Sequence, residues 1–408
     1  MKELNVYLHW SKNKRIRVGK LAEFRQKIFF EYASSFLSDP LWLSPYKLPP
    51  EPGLHEHKDR EFGPIFGLFD DSLPDGWGLL LMDRFLRKQD IDPERFSVLD
   101  RLSFLGESTM GALTYEPAVM HEKFEGSLDL KMLADASLKI IAGEIDDVLP
   151  QLMNAGGSPG GARPKVLVGI KNGTIISGEN DLPDDFEHWI IKFNSDDDFP
   201  DYGAVEYAYS LMAGEAGITM PQTRLFHARP NARYFGIKRF DRKNNQRFHV
   251  HTFGNLIHSN FRVPACDYET FLRVILDLTK NHKNLEQGFC RMIFNVMAHN
   301  RDDHVKNFAF MMDEHQEWTL TPAYDLVYSK GPGGEHSMTI AGEGRSPGKK
   351  EIVKLGQKTG VSAGRINEMI EQVASAVERW QEHASTANVT EQTKNYIQKK
   401  IKVNRSFF

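Results

Sequence analysis

The sequence predicts an α+β protein of two lobes: a mainly β N-lobe with an extra N-terminal α/β subdomain, and a mainly α-helical C-lobe. Three observations predict it. Short apolar runs crowd residues 1–120, β-rich runs dominate residues 150–240, and from about residue 267 apolar residues recur at helical spacing. The boundaries that follow are an N-terminal subdomain at 1–120, a connecting segment at 121–149, an N-lobe at 150–240 and a helical C-lobe at 241–408. A chain of 408 residues is long enough to bury more than one core.

Along the chain, "NVYLHW", "RIRVGKL" and "KIFFEYASSFL" read as short antiparallel strands. Residues 73–89, "LPDGWGLLLMDRFLRKQ", turn helical because Leu79, Leu80, Met82, Phe85 and Leu86 recur at helix spacing. "MGALTYEP" predicts a strand ended by Pro117, and the segment after it a connection with a short helix. "PKVLVGIKNGTIISG" splits two β-rich runs with "KNG", a hairpin signal. "HWIIKFNS" is a further strand. "GAVEYAYSLMAGEAGI" is a helix with Val205, Tyr209, Met212 and Ala216 on one face and Gly217 as its stop. "TRLFHA" and "RYFGIKRFDR" are strands again. "DYETFLRVILDLTK", "LEQGFCRMIFNVMAHN" and "AGRINEMIEQVASAVERWQEH" predict long helices, and "QKKIKVNRSFF" a short basic tail.

Composition is that of an ordinary globular protein, 40% hydrophobic and 26% charged. A formal net charge of −4 supplies no field for nucleic acid or a membrane surface. Cys266 and Cys290 allow one bridge at most, which suits a reducing, cytoplasmic setting better than a disulfide framework. The first residues lack an apolar signal region and no run of about 18 apolar residues occurs, so neither a secretory signal nor a spanning helix is expected.

Phosphoryl transfer needs a group to orient the attacking hydroxyl, ligands for magnesium, a cation for the phosphates and a loop to cover them. "HNRDDHVKNFAFMM", residues 299–312, contains R-D-x-x-x-x-N, the spacing of the protein-kinase catalytic loop. Asp302 would meet the hydroxyl and Asn307 would reach magnesium. Asp325, in "TPAYDLVYS", ends an apparent hairpin and would be the second ligand; magnesium takes one or two carboxylates with phosphate oxygens and water. The histidines and cysteines lack zinc-ligand spacing. Lys192 lies within an apolar strand, where an ammonium needs a partner; Glu206, on the following helix, could supply it together with a phosphate. "NAGGSPGGARPK", residues 154–165, sets Gly156, Gly157, Gly160 and Gly161 around Ser158, so that N–H groups could approach phosphates. It lacks the G-K-[ST] of a Walker A loop. Each feature alone has an ordinary reading: a linker, an edge lysine, a polar turn, an acid after a strand. Their order is the one a protein kinase uses, which makes the expected fold protein-kinase-like.

These residues resemble the HipA family of serine/threonine kinases, the toxin halves of bacterial HipA–HipB toxin–antitoxin pairs. "RDDHVKNFAF" is similar to the family's N-T-D-D-H-x-K-N-F motif, "TPAYDLVYS" to its P-A-Y-D-L segment, and "GSPGGARPK" to a loop whose serine becomes autophosphorylated. "WIIKF", "IKRFDR", "HVHTFGNL", "LPDGWGLLLMDRFL" and "MGALTYEP" extend the resemblance over nearly the whole chain. It implies Asp302 as the catalytic Asp, Asn307 and Asp325 as magnesium ligands, and Ser158 as the phosphorylation site. It implies ATP held by Lys192, by Gly157 and Gly160, by His304, and by a hinge of Lys238, Arg239 and Phe240. Arg301 departs from the family's usual Thr, and Lys238 from an acidic residue found in relatives. The resemblance further implies a cytoplasmic protein substrate in translation, typically an aminoacyl-tRNA synthetase. It also implies a HipB-like helix-turn-helix antitoxin through which DNA is bound, and no membrane. The alternatives are a nucleotidyl transferase or small-molecule kinase on the same fold, or a non-catalytic nucleotide-binding regulator.

Overall fold

The computed structural model describes residues 1–119, 126–144, 150–156, 160–194, 199–229 and 232–408. The N-terminal subdomain is built on an antiparallel sheet of β1 (Lys2–Ser11), β2 (Lys14–Phe24), β3 (Lys27–Tyr32), β4 (Leu54–Glu56) and β5 (Leu113–Glu116), in the order β4-β3-β2-β1-β5. Alternation along β1 decides the inner face: Leu4, Val6, Leu8 and Trp10 are buried and share a core with Phe30, Phe69, Leu102 and Tyr115. That core extends to Met312 of the C-lobe, so the subdomain is seated on the rest of the protein through apolar packing.

The helix expected at 73–89 spans Gly76–Lys88. It starts at Gly76 because Asp75 caps it, its carboxylate accepting from the Gly76 amide at 2.9 Å. Trp77, Leu81, Met82 and Leu86 are its buried side chains, whereas Leu79, Leu80 and Phe85 are half-buried. This helix and Leu130–Ile141 pack against N-lobe strands: Trp77, Leu81, Leu133 and Ile140 share a core with Val166, Val168 and Ile191.

The N-lobe sheet holds β6 (Lys165–Lys171), β7 (Thr174–Ser177), β8 (Glu187–Lys192), β9 (Thr223–Arg229) and β10 (Ala232–Lys238), ordered β7-β6-β8-β10-β9 and antiparallel throughout. The hairpin expected at "KNG" turns through Asn172 and Gly173, both with positive φ. β8 is paired on both sides, which explains its apolar run. The Tyr202–Glu215 helix behind it is buried over most of its length, with Val205, Tyr209 and Met212 in the C-lobe core and Gly217 at φ 78 just beyond its end.

The C-lobe is helical: Tyr268–Thr279, His282–Met297, Lys349–Lys358, Ala363–Glu378, Trp380–Thr386 and Glu391–Arg405 surround Phe271, Phe289, Ile293, Val373 and Trp380. Two expectations need correction. The helix expected over 363–383 breaks at Arg379, because Trp380 turns into the core and its indole N–H donates to the Lys394 carbonyl at 3.0 Å. "QKKIKVNRSFF" is no tail: most of it lies in the Glu391–Arg405 helix, whose Ile397 and Ile401 are buried one turn apart beneath the lysines. A small sheet of His249–Thr252, Ala309–Met312 and Trp318–Leu320 forms the expected hairpin, and because its last two strands are antiparallel it brings residues 299–308, which enter it, and Asp325, which follows it, to the same open end. Cys266 and Cys290 are free. Among the described residues, no helix is long and apolar enough to cross a membrane.

Candidate active site

Lys192 ends β8, where its ammonium group meets two carboxylates. It donates to Glu206 Oε1 at 2.5 Å and also to Asp325 Oδ1. Glu206 is only 2% exposed, in the first turns of the Tyr202–Glu215 helix, so its charge depends on this partner. Burial alone would lower the Lys192 pKa, but Asp325 and Glu206 hold it above its ordinary value. Burial would raise Asp325, yet Lys192 and Lys165 hold it well below the usual carboxylate range. One cation shared between two acids favours one of them, and burial leaves Glu206 raised. Asp325 also has φ 53, a left-handed conformation that is uncommon for a residue with a side chain and gathers at functional sites. Its side chain is 36% exposed, so one face opens to the cleft.

Residues 299–308 leave the His282–Met297 helix through His299, at φ 58. Asn300 donates to Asn295 Oδ1 at 3.0 Å, and Arg301 donates to the carbonyls of Gly334 and Arg345, which ties the loop to residues 331–345. Asp302 projects outward, while Asp303 is buried and accepts from the Tyr268 hydroxyl, His336 Nδ1 and the Ser337 amide, each at 2.8 Å. Partial burial raises the Asp302 pKa, His304 opposes this, and the charges of Asp325 and Asp303 add to it. Asn307 donates through Nδ2 to the Asp302 carbonyl at 2.6 Å, leaving its Oδ1 free to accept. Tyr324, next to Asp325, donates to the Lys306 carbonyl at 2.8 Å and stacks on Phe240 with centroids 5.6 Å apart. His304 accepts from the Lys306 amide at 3.2 Å and lies against Phe261.

This donor set fits magnesium. Asn307 Oδ1 and the Asp325 carboxylate would offer hard oxygen donors, and a nucleotide's phosphates with water would complete an octahedron. Among the described residues, no group of three or more His, Cys, Asp or Glu side chains could hold a metal by itself.

The remaining expected residues are dispersed. Lys238 pairs with Glu187 at 2.5 Å, and Arg239 is buried against Asp241, so neither side chain faces Tyr324 as Phe240 does. The Gly160 carbonyl accepts from Lys165 Nζ at 2.5 Å. Gly157 and Ser158 lie outside the described residues. Lys165 is absent from the expected nucleotide site, yet it is 6% exposed, is the β-register partner of Lys192, and its charge helps depress Asp325. The available signal was its place, closing a Gly-rich loop and opening a strand.

Two family models match the chain, one described as the HipA N-terminal domain over residues 5–116 and one as the HipA-like C-terminal domain over residues 157–380. The chain belongs to the HipA family. Among curated relatives it is 28% identical over 198 residues to a Haemophilus influenzae protein named as an inferred kinase, covering 45% of this chain and 56% of the relative. It is 24% identical over 155 residues to Y4dM of Sinorhizobium fredii, another inferred kinase, covering 34% of this chain and 37% of the relative. The chain thus spans about half or less of the curated relatives it matches. A solved structure of Shewanella oneidensis HipA with HipB and operator DNA superposes with a TM-score of 0.71 over 98% of this chain and 95% of that one, at 14% identity. The fold of this HipA-family chain is accordingly the kinase-like two-lobed α+β fold expected from its sequence.

Proposed function

We propose that this protein is an ATP- and magnesium-dependent serine/threonine protein kinase of HipA type. The observation that carries the reading is Lys192 joined to both Glu206 and Asp325, beside a loop that presents Asp302 outward and Asn307 with a free acceptor. Lys192 would hold the non-transferred phosphates. Asn307 and Asp325 would hold magnesium, which supplies charge neutralisation across the phosphates when bound. Asp302 would orient the substrate hydroxyl and accept its proton. Phe240 would offer an apolar face to the base.

As a HipA-type toxin, the kinase would phosphorylate a cytoplasmic translation component, an aminoacyl-tRNA synthetase for example, and so arrest growth. A HipB-like antitoxin would restrain it and carry most of the DNA affinity. Phosphorylation of Ser158 would add about −1.5 to −2 charges to the covering loop, repel the triphosphate and switch the enzyme off. The test is incubation with labelled ATP and magnesium, followed by mass spectrometry of the protein. Phosphate on Ser158 in the wild type, and none in Ser158→Ala, supports the reading. AMP on the product, or phosphate only on metabolites, replaces it.

A further inference from the structure

The segment "FGLFDDSLPDGWG", residues 66–78, belongs to the N-terminal subdomain, yet it reaches both walls of the proposed transfer site. At its first end it is seated on the C-lobe. A Cβ added at Gly67 would lie 2.0 Å from the Asn255 carbonyl oxygen, so only glycine allows this approach. Asp71 accepts from the Thr252 amide at 2.9 Å, the Thr252 hydroxyl at 2.7 Å and Asn255 Nδ2 at 2.8 Å. Asp70 accepts from Asn255 Nδ2 at 2.9 Å and from Lys306 Nζ at 2.9 Å. Lys306 lies in the catalytic loop, between Asp302 and Asn307.

At its other end the segment holds the loop that leads into β6. The Trp77 amide donates to the Gly161 carbonyl at 3.1 Å, and the Trp77 indole N–H donates to the Lys165 carbonyl at 3.0 Å. Gly76 approaches the same loop so closely that a Cβ would lie 2.5 Å from Ala162 Cα. The stretch between is stiff. Leu68 and Phe69 are fully buried, Ser72 is bonded to the Tyr115 hydroxyl at 2.8 Å, and Pro74 fixes the backbone before the Asp75 cap. Two loops from different lobes are therefore referenced to one rigid piece of a third unit.

We propose that residues 67–77 form a positioning strap for the transfer site, in which Asp70 sets Lys306 and the catalytic loop and Trp77 sets the loop at 160–165. Neither residue touches a reacting atom. Their effect is to fix the separation of the two loops, and misplacement by about 1 Å can cost about a hundredfold in rate. The kinetic part rests on the kinase reading; the geometric part does not.

The test uses the full chain with Asp70→Asn, Asp70→Glu and Trp77→Phe. Asp70→Asn should lower kcat about tenfold or more while the KM for ATP stays within about twofold, and Asp70→Glu should restore most of the loss. Trp77→Phe should raise the KM for ATP more than it lowers kcat. Amide hydrogen exchange should quicken at 300–308 in the first variant and at 160–166 in the last. If exchange moves as stated but the wild type transfers no phosphate, the strap stands and the kinase reading falls. If the wild type transfers phosphate and Asp70→Asn changes neither exchange nor kcat, the strap is wrong. It is equally wrong if activity falls only in proportion to the folded fraction.

Discussion

Lys165 and Lys192 face each other as register partners on β6 and β8, yet their ammonium groups are pushed in opposite directions. Burial, with the charge of Lys192 adding to it, pulls Lys165 down to about 8 against the attraction of Asp325 and Glu206. Lys192 stays above its ordinary value because it bonds both carboxylates, whereas among the described residues Lys165 hydrogen-bonds to the Gly160 carbonyl and to no carboxylate. The proposed phosphate site thus has one cation held charged and one whose pKa is pulled down to about 8.

That asymmetry gives a pH dependence. Lys165 is protonated in both folded and unfolded chains below pH 8, so folding there carries the cost of burying its charge. Between about 8 and 10.5 the folded chain sheds this proton first, and the contribution of Lys165 to stability rises with pH. Denaturant midpoints of wild type and Lys165→Met should diverge in favour of wild type across that window. A triphosphate should raise the Lys165 pKa again, so ATP binding near pH 8.5 should take up a proton, read by calorimetry in buffers of different ionisation enthalpy. A difference between the proteins that is independent of pH removes the assignment.

Asp302 and Asp303 are adjacent acids with separate expected phenotypes. Asp302→Asn should reduce transfer by roughly 10²–10⁴-fold without lowering the melting temperature, because the side chain is exposed and its charge is disfavoured where it stands. Asp303→Asn should cost roughly 1–3 kcal/mol, because an amide cannot accept from Tyr268, His336 and the Ser337 amide together. Thermal melts alongside kinetics check both. An unstable Asp302 variant beside a stable but inactive Asp303 variant would exchange their roles.

In the sequence, the spacing to Asn307 singles out Asp302, but nothing local shows that Asp303 is buried, because its partners Tyr268 and His336 lie more than 30 residues away on either side. The Lys192–Glu206 contact is legible for the opposite reason. An ammonium in an apolar strand needs an acid, and the next helix offers one in its first turns. The two-lobed architecture is legible because period-2 runs precede period-3.6 runs. The Asp70–Lys306 pair is not, because 236 residues separate its members and each has local company that would explain it. Arg239 illustrates a related limit. Its place beside a strand suggests a nucleotide contact, but Asp241 two residues on draws the guanidinium inward.

Asn307→Ala and Asp325→Ala should each weaken nucleotide binding that depends on magnesium, with little effect on binding measured without the ion. Because both would hold one ion, the double variant should lose less than the summed effects. Titrations with and without magnesium check this. Strictly additive losses would mean that the two side chains do not share a metal.

Asp241, just after β10, should be an acid-sensitive point where the N-lobe meets the N-terminal subdomain. It is 1% exposed and accepts from Arg239 at 2.9 and 2.7 Å, from Arg242 at 2.8 Å and from the Gly111 amide at 2.8 Å. Arg242 in turn donates to the carbonyls of Thr109 and Gly111, so the chain leaving β10 is pinned to the N-terminal subdomain. Burial resists ionisation, but the two guanidinium groups outweigh it and hold the Asp241 carboxyl far below its ordinary value. A depressed folded-state pKa stabilises fully above the unfolded value, near 4, and the contribution is lost as pH falls below it. Asp241→Asn keeps the shape and leaves two buried guanidinium groups without a counter-charge, which should cost about 3–5 kcal/mol. The acid limb of the stability curve should also flatten in that variant. Phe240, the neighbour of Asp241, should then lose its fixed stack on Tyr324, so ATP affinity should fall even at temperatures where the variant stays folded. Unchanged ATP affinity in the folded variant would confine Asp241 to stability, and an unchanged acid limb would deny it that role too.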